Sequence, residues 1–308
     1  MAEISVVVPI FNAEETIVAC VSSILQQFFA DIELVLVDDG SSDSSGSIID
    51  QLALGDSRVK VFHQSNQGPS PARGLGVAHA TGRWIGFVDS DDTLLPTALA
   101  QLLAKASDDV DIVFGNGSSV THEGVDSIDI QTFRHLAVRA EGTIGVPWGC
   151  LYRRTLLTPD VFELPSEIRN GEDYIFWLRI IFKTQKPVAV VYPQVYCKGR
   201  DTISRRFVWT ADYAHKIHQL RLNSIPQHLL PLYASDALDD AVVNLCAVAI
   251  CEPKSKWKHS AFYIQLQKEQ KALGKSLPMK TRVYLWLPSK SLRKLYSLLS
   301  GLLRKVRG

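Results

Sequence analysis

Two short stretches decide the fold: Val35-Leu36-Val37-Asp38-Asp39-Gly40-Ser41 and Trp84-Ile85-Gly86-Phe87-Val88-Asp89-Ser90-Asp91-Asp92. Each is an apolar run that stops abruptly on carboxylates. A strand apolar on both faces must be covered on both faces, as in a parallel sheet packed between helices. The residues around the two runs repeat the pattern. Ile4–Val8 and Val59–Phe62 read as further strands, with helical spacing at Ile17, Val21, Ile24, Leu25 and Phe28, a short helix at Ile48–Leu52 and another at Pro71–Ala80. Strand and helix in alternation predict a doubly wound, mostly parallel α/β domain, whose ligands sit at the carboxyl ends of the strands. Both acidic clusters fall at such ends.

Packed aspartates at an open sheet edge repel one another and favour a cation. Oxygen ligands suit Mg²⁺ or Mn²⁺, and Mg²⁺ is typically held by one or two carboxylates together with substrate phosphates. The competing reading is structural, with these residues capping helices or closing Asx turns; Asp43 fits that role. A third acidic pair, Glu172-Asp173, opens the apolar helix Tyr174–Phe182. The helix N-terminus favours the Asp173 anion, whereas apolar neighbours such as Trp177 disfavour it. The sequence leaves that contest open.

Ordered together, these pieces resemble glycosyltransferase family 2 of the GT-A fold. They are Val6-Val7-Val8-Pro9-Ile10-Phe11-Asn12, Val37–Asp43, Asn66-Gln67-Gly68-Pro69-Ser70-Pro71-Ala72-Arg73 and Phe87–Asp92. A looser match runs through Trp148, Leu151-Tyr152-Arg153-Arg154 and Glu172-Asp173 to about Arg205. The resemblance implies a metal-dependent inverting transferase. It would move a sugar from a nucleotide donor, usually UDP-linked, to a hydroxyl of a glycan or lipid-linked acceptor in cell-surface polysaccharide synthesis.

By the same resemblance Pro9, Phe11 and Glu14 lie at the nucleoside pocket, Asp39 at the uracil edge and Arg73 at the donor. Asp89, Asp91 and Asp92 match the ribose and metal–diphosphate motif, with Asp91 and Asp92 as metal residues. Asp173 matches the catalytic base, and Arg205 or Arg206 a segment closing over the donor. Two positions depart from the family pattern: Gly74 follows Arg73 where Asn is common, and Cys150 stands where Lys is common. The reading from another class is a catalytically silent, nucleotide-sugar-binding partner of a second transferase; intact Asp173 and Asp89–Asp92 favour the enzyme.

The 308 residues net only +1, which argues against a general nucleic-acid binder, but the charge is uneven. From Lys254 onward there are fourteen Lys/Arg against one acid, Glu269, so the preceding body is acidic. Five cysteines form no CxxC pair and read as free thiols of a reducing compartment. No signal peptide or spanning segment is read, which places the chain in the cytoplasm. No G-x-G-x-x-G follows the first strand, which disfavours a dinucleotide oxidoreductase. Gly74 and Gly76 read as positions of close helix–sheet packing. The histidines show no zinc spacing beyond His215-x-x-His218, a pair with no third ligand nearby, and read as surface residues.

The domain division is expected near residue 210. Before it lies the transferase domain, with a nucleotide half 1–115 and an acceptor half 116–210. After it comes a helical region with candidates at Ala211–Leu222 and Ser235–Cys251, ending in a basic amphipathic tail, 283–308. In that tail Leu292, Leu295, Tyr296, Leu299, Leu302, Leu303 and Val306 form one stripe, and Lys290, Arg293, Lys294, Arg304, Lys305 and Arg307 occupy the rest. This is the pattern of a helix lying in a membrane interface. Six basic residues near an anionic leaflet would supply about 6 kcal/mol. The tail is thus expected to hold the protein peripherally at the inner membrane face; docking on its own domain or on a second copy in a homo-oligomer is the alternative.

Overall fold

Ile4–Ile10 (β1) and Ile32–Asp38 (β2) are buried at every position, so they need cover on both faces. The structure, a computed structural model, describes residues 2–115, 119–142, 144–165, 167–168, 170–199 and 207–300. β1 runs parallel to β2 on one side and to Trp84–Phe87 (β4) on the other, and β2 runs parallel to Val59–His63 (β3). Parallel neighbours require crossovers. Ile17–Leu25 (α1), Ser45–Gly55 (α2) and Pro69–His79 (α3) supply them. Gly76 of α3 lets the helix press onto the sheet: a Cβ there would lie 2.4 Å from Val7 Cγ1. Phe28, expected on the buried face of the first helix, lies beyond its end and is 75% exposed.

The chain continues through Thr93–Leu94 (β5), Ala98–Leu103 (α4), Ile112–Phe114 (β6), Ser127–Ile128 (β7), Ile130–Val138 (α5), Cys150–Arg153 (β8), Glu172–Ile181 (α6), Val188–Val190 (β9) and Tyr196–Cys197 (β10). Eight strands form one sheet in the order β3-β2-β1-β4-β8-β6-β9-β7. β8 is antiparallel to both β4 and β6, while β6 and β9 are parallel. The mostly parallel α/β architecture expected from the sequence is therefore present. Cys150, read as part of a loop, is buried in the strand β8. The chain leaves β1 toward β2 and β3 and later returns to β4 on the other side. The gap between the carboxyl ends of β1 and β4 is thus the switch point where ligands of such sheets bind.

Contacts divide the chain into two compact units, Met1–Ala137 with Glu141–Asp201, and Val138–Ala140 with Thr202–Gly308. The second is helical among the described residues: Ala211–Ser224 (α7), Leu230–Cys251 (α8), Lys254–Trp257 (α9), Ala261–Ala272 (α10), Met279–Trp286 (α11) and Lys290–Ser300 (α12). Its core gathers Leu238, Leu245, Val248, Trp257, Phe262 and Tyr284. His218, read from the sequence as a surface residue, is fully buried. Its Nε2 meets Glu269 at 2.9 Å and its Nδ1 meets Arg221 at 3.0 Å, which satisfies both ring nitrogens away from water.

Among the described residues no helix is long and apolar enough to cross a membrane. All five cysteines are free thiols. Leu302, Leu303, Arg304, Lys305, Val306 and Arg307 of the tail lie outside the described residues.

Candidate active site

The acidic turn after β4 lies beside the β1–β4 gap. Val88 N–H donates to Val7 O at 3.2 Å, and the chain then turns away from the sheet, Asp92 N–H reaching Asp89 O at 3.0 Å. That turn spreads the carboxylates. Asp91 is exposed, Asp89 is partly buried and Asp92 is buried. Partial desolvation by the surrounding turn raises the carboxyl pKa of Asp91, and repulsion from Asp92 and Asp89 raises it further, so an approaching cation would relieve an existing strain. Asp92 is also raised, chiefly by burial, although its Oδ1 accepts Gly199 N–H at 2.6 Å.

The acidic turn is braced from β10. The Tyr196 hydroxyl accepts Asp89 N–H at 3.0 Å and hydrogen-bonds the Asp92 carboxylate, while its ring stacks on Trp148 with centroids 4.4 Å apart. Lys198 Nζ lies 4.5 Å from the Trp148 ring centroid, and its charge acts on both Asp91 and Asp92. Tyr196 and Lys198 were missed in the sequence. Their only signal is Val195-Tyr196 at the end of a short apolar stretch, and nothing local shows that it pairs with Thr93–Leu94 of β5.

Behind the turn sits Arg73 of α3, 4% exposed. Its Nη2 donates to Asp89 Oδ1 at 2.8 Å and its Nη1 to Asp173 Oδ1 at 2.7 Å, so one guanidinium joins the acidic turn to the first turn of α6. Gly171, at φ +86°, starts that helix, and Asp173 is its second residue. The contest left open for Asp173 is won by burial. Desolvation raises its pKa from 3.8 to about 7, with Arg73 pulling the other way and the charges of Glu172 and Asp89 adding to the rise. A carboxylate near 7 is poised to take a proton at neutral pH.

At the β2 end, Asp39 is nearly enclosed. It accepts Gln64 Nε2 at 2.7 Å and the N–H groups of Gln67 and Gly68 at 2.8 Å each, which holds the loop leading into α3. Two carboxylate oxygens offer about four acceptor positions, so about one remains for a ligand. Pro9 is buried within β1, and Phe11 just beyond it is 49% exposed. Asn12 takes a left-handed backbone, φ +51°, and its side chain accepts Ser42 N–H at 2.8 Å. Asp43 accepts the N–H groups of Ser45 at 3.0 Å and Glu14 at 3.1 Å, the structural role expected for it. Arg205 and Arg206 lie outside the described residues. Pro9, Phe11, Asp39, Arg73, Asp89, Asp91, Asp92 and Asp173 all belong to the first compact unit.

Among the described residues no three His, Cys, Asp or Glu side chains cluster at metal-ligating spacing. The exposed Asp91, backed by Asp89 and Asp92, still fits a hard cation that draws its remaining ligands from a diphosphate and water.

Residues 5–157 match the model of the glycosyl transferase family 2. Glycosyltransferase GlyG of Streptococcus pneumoniae is 44% identical over 115 residues, 37% of this chain and 38% of that protein. The GalNAc(5)-diNAcBac-PP-undecaprenol beta-1,3-glucosyltransferase of Campylobacter jejuni is 39% identical over 118 residues, 38% of each chain. The first curated relatives are spanned over only 38% to 56% of their length. Among solved structures, S. aureus TarS 1-349 in complex with UDP-GlcNAc shares the fold, with a TM-score of 0.61 at 19% identity over 90% of this chain and 93% of that one.

Proposed function

From a chain that belongs to glycosyl transferase family 2, we propose an inverting transfer of a sugar from a UDP-sugar to a hydroxyl of a glycan or lipid-linked acceptor. The observation that carries the reading is the Arg73 bridge. It sets a carboxyl of raised pKa, Asp173, opposite the acidic turn Asp89–Asp92 across a single guanidinium. A one-step displacement needs a base on the acceptor side and charge compensation on the leaving-group side. Asp173 accepts the proton of the attacking hydroxyl as the new glycosidic bond forms. Arg73 holds the base in place while damping its pKa.

Pro9, Phe11 and Asp39 line the nucleoside end, and Asp89 lies toward the ribose. A Mn²⁺ or Mg²⁺ ion held by Asp91 and Asp92 would neutralise the departing diphosphate. The UDP preference draws on TarS, and the acceptor class on the Campylobacter relative.

The test is UDP release from a panel of UDP-sugars, with and without Mn²⁺, corrected for donor hydrolysis. Turnover that needs acceptor and divalent ion supports the reading, and an acidic limb near pH 7 identifies the base. Full turnover by Asp173→Asn removes the base assignment.

A further inference from the structure

The C-terminal helices carry a surface distinct from the residues assigned to the transfer reaction. α11 turns Thr281, Tyr284 and Leu285 inward, and α12 turns Arg293 and Ser297 inward. Both helices rest on α8 and on each other. Facing away from that support are Met279, Val283 and Trp286 of α11, and Leu292 and Leu295 of α12, with Trp286 73% exposed and Leu295 54% exposed. The first three stand at i, i+4 and i+7 and the last two at i and i+3, so each helix exposes one apolar stripe. Lys280, Arg282 and Lys294 lie exposed beside them, while Lys290 donates to Cys251 O at the end of α8. From Gln270 to Gly308 the chain has ten Lys/Arg and no acid.

The packing of α12 corrects the simpler picture drawn from the sequence. Arg293, assigned there to the polar face, is fully buried. Its Nε donates to Ala249 O at 2.7 Å and its Nη1 to Leu287 O at 2.8 Å. The ends of α8 and α11 leave carbonyls without helical partners, and a guanidinium with its fork of donors serves both. Anchoring the helix by this arginine leaves Leu292 and Leu295 facing out, where a helix docked only on its own unit would have buried them.

We propose that this two-helix face seats the protein on an anionic lipid surface, with Trp286 at headgroup depth, the leucines in the acyl boundary and the lysines among the headgroups. Charge selects lipid over a second copy. A two-fold interface would set the same cations against one another with no acid to answer them, whereas an anionic leaflet complements them.

The test uses the full chain sedimented with vesicles of phosphatidylcholine, alone or mixed three to one with phosphatidylglycerol. Binding is expected to the mixed vesicles only and to weaken in ~0.5 M salt, where screening is short-ranged. Trp286 emission should shift to the blue on binding, and Trp286→Phe should abolish the shift while retaining most of the binding. Each Lys→Gln change at 280 or 294 should weaken partitioning about fivefold. The double variant Leu292→Ser/Leu295→Ser should lower it about tenfold or more at an unchanged melting transition. Absence of binding to mixed vesicles, or binding that ignores these changes, overturns the proposal. So does a dimer in light scattering that the leucine variant converts to monomer, because the face would then belong to a second copy.

Discussion

Glu33 and Asp173 are both acids at least partly withdrawn from bulk water, yet they end on opposite sides of the ordinary carboxylate range. Glu33 enters the sheet at the start of β2. Burial pushes its pKa up, but Lys60 Nζ at 2.6 Å, the Ser5 hydroxyl and the N–H and hydroxyl of Thr81 carry it down to about 2. Asp173, near the carboxyl end of β4, has one guanidinium shared with Asp89 and two further carboxylates nearby, and it rises to about 7. Burial alone does not set the direction of a carboxyl's shift. The count of donors against competing anions does.

If Asp173 is the base, Asp173→Asn should lower kcat by about 10²–10⁴-fold while the melting transition and donor binding persist. Donor binding by calorimetry is the control, because a collapse there would make Asp173 a structural acid like Glu33. In the unmodified protein, turnover should fall about tenfold per unit below pH 7 as Asp173 takes up its proton.

Arg73→Gln should unbalance the site next. It leaves Asp89 and Asp173 without their shared cation, and losing one partner of a buried pair costs about 3–5 kcal/mol in denaturant unfolding. Arg73 lowers the Asp173 pKa, so its removal should move the acidic limb of the pH profile upward by about 1–3 units.

Glu33→Gln should behave in the opposite manner, losing about 1.5–3 kcal/mol of stability as charged hydrogen bonds go, with kcat/KM unchanged. The sign follows from its depressed pKa. The contribution of ionised Glu33 is fully present above 4.5 and is lost as pH falls toward about 2, so wild type and variant should converge in acid unfolding.

The smallest effect concerns His63, 47% exposed, whose Nδ1 meets Asp38 at 3.0 Å and whose pKa that partner raises. His63→Gln should cost about 0.5 kcal/mol, as for other exposed pairs. The loss should be measurable below pH 6.5 and should vanish as pH rises through the raised value.

Much of the site was legible from local pattern. The acidic turn, Arg73 and Asp173 each occupy a conspicuous place, at a strand end or in a helix's first turn, and strand ends of a doubly wound sheet share one edge. Tyr196 and Lys198 were not legible, because the two-stranded pairing of β5 with β10 joins residues about a hundred positions apart. The tail shows the opposite limit. Its amphipathic period was plain, but the period alone did not reveal that α12 would bury Arg293 against the ends of α8 and α11.

Alternation of apolar runs with helical spacing settles the layered α/β architecture, since a strand without a polar face has to be covered twice. It also puts two acidic clusters at the carboxyl ends of the strands. The balance of proton affinities there was settled by folding, because a pKa depends on distances and desolvation created between α3, α6 and the acidic turn. The outward face of the C-terminal helices has the same origin: unpaired carbonyls at two helix ends drew the guanidinium inward and left the leucines outside.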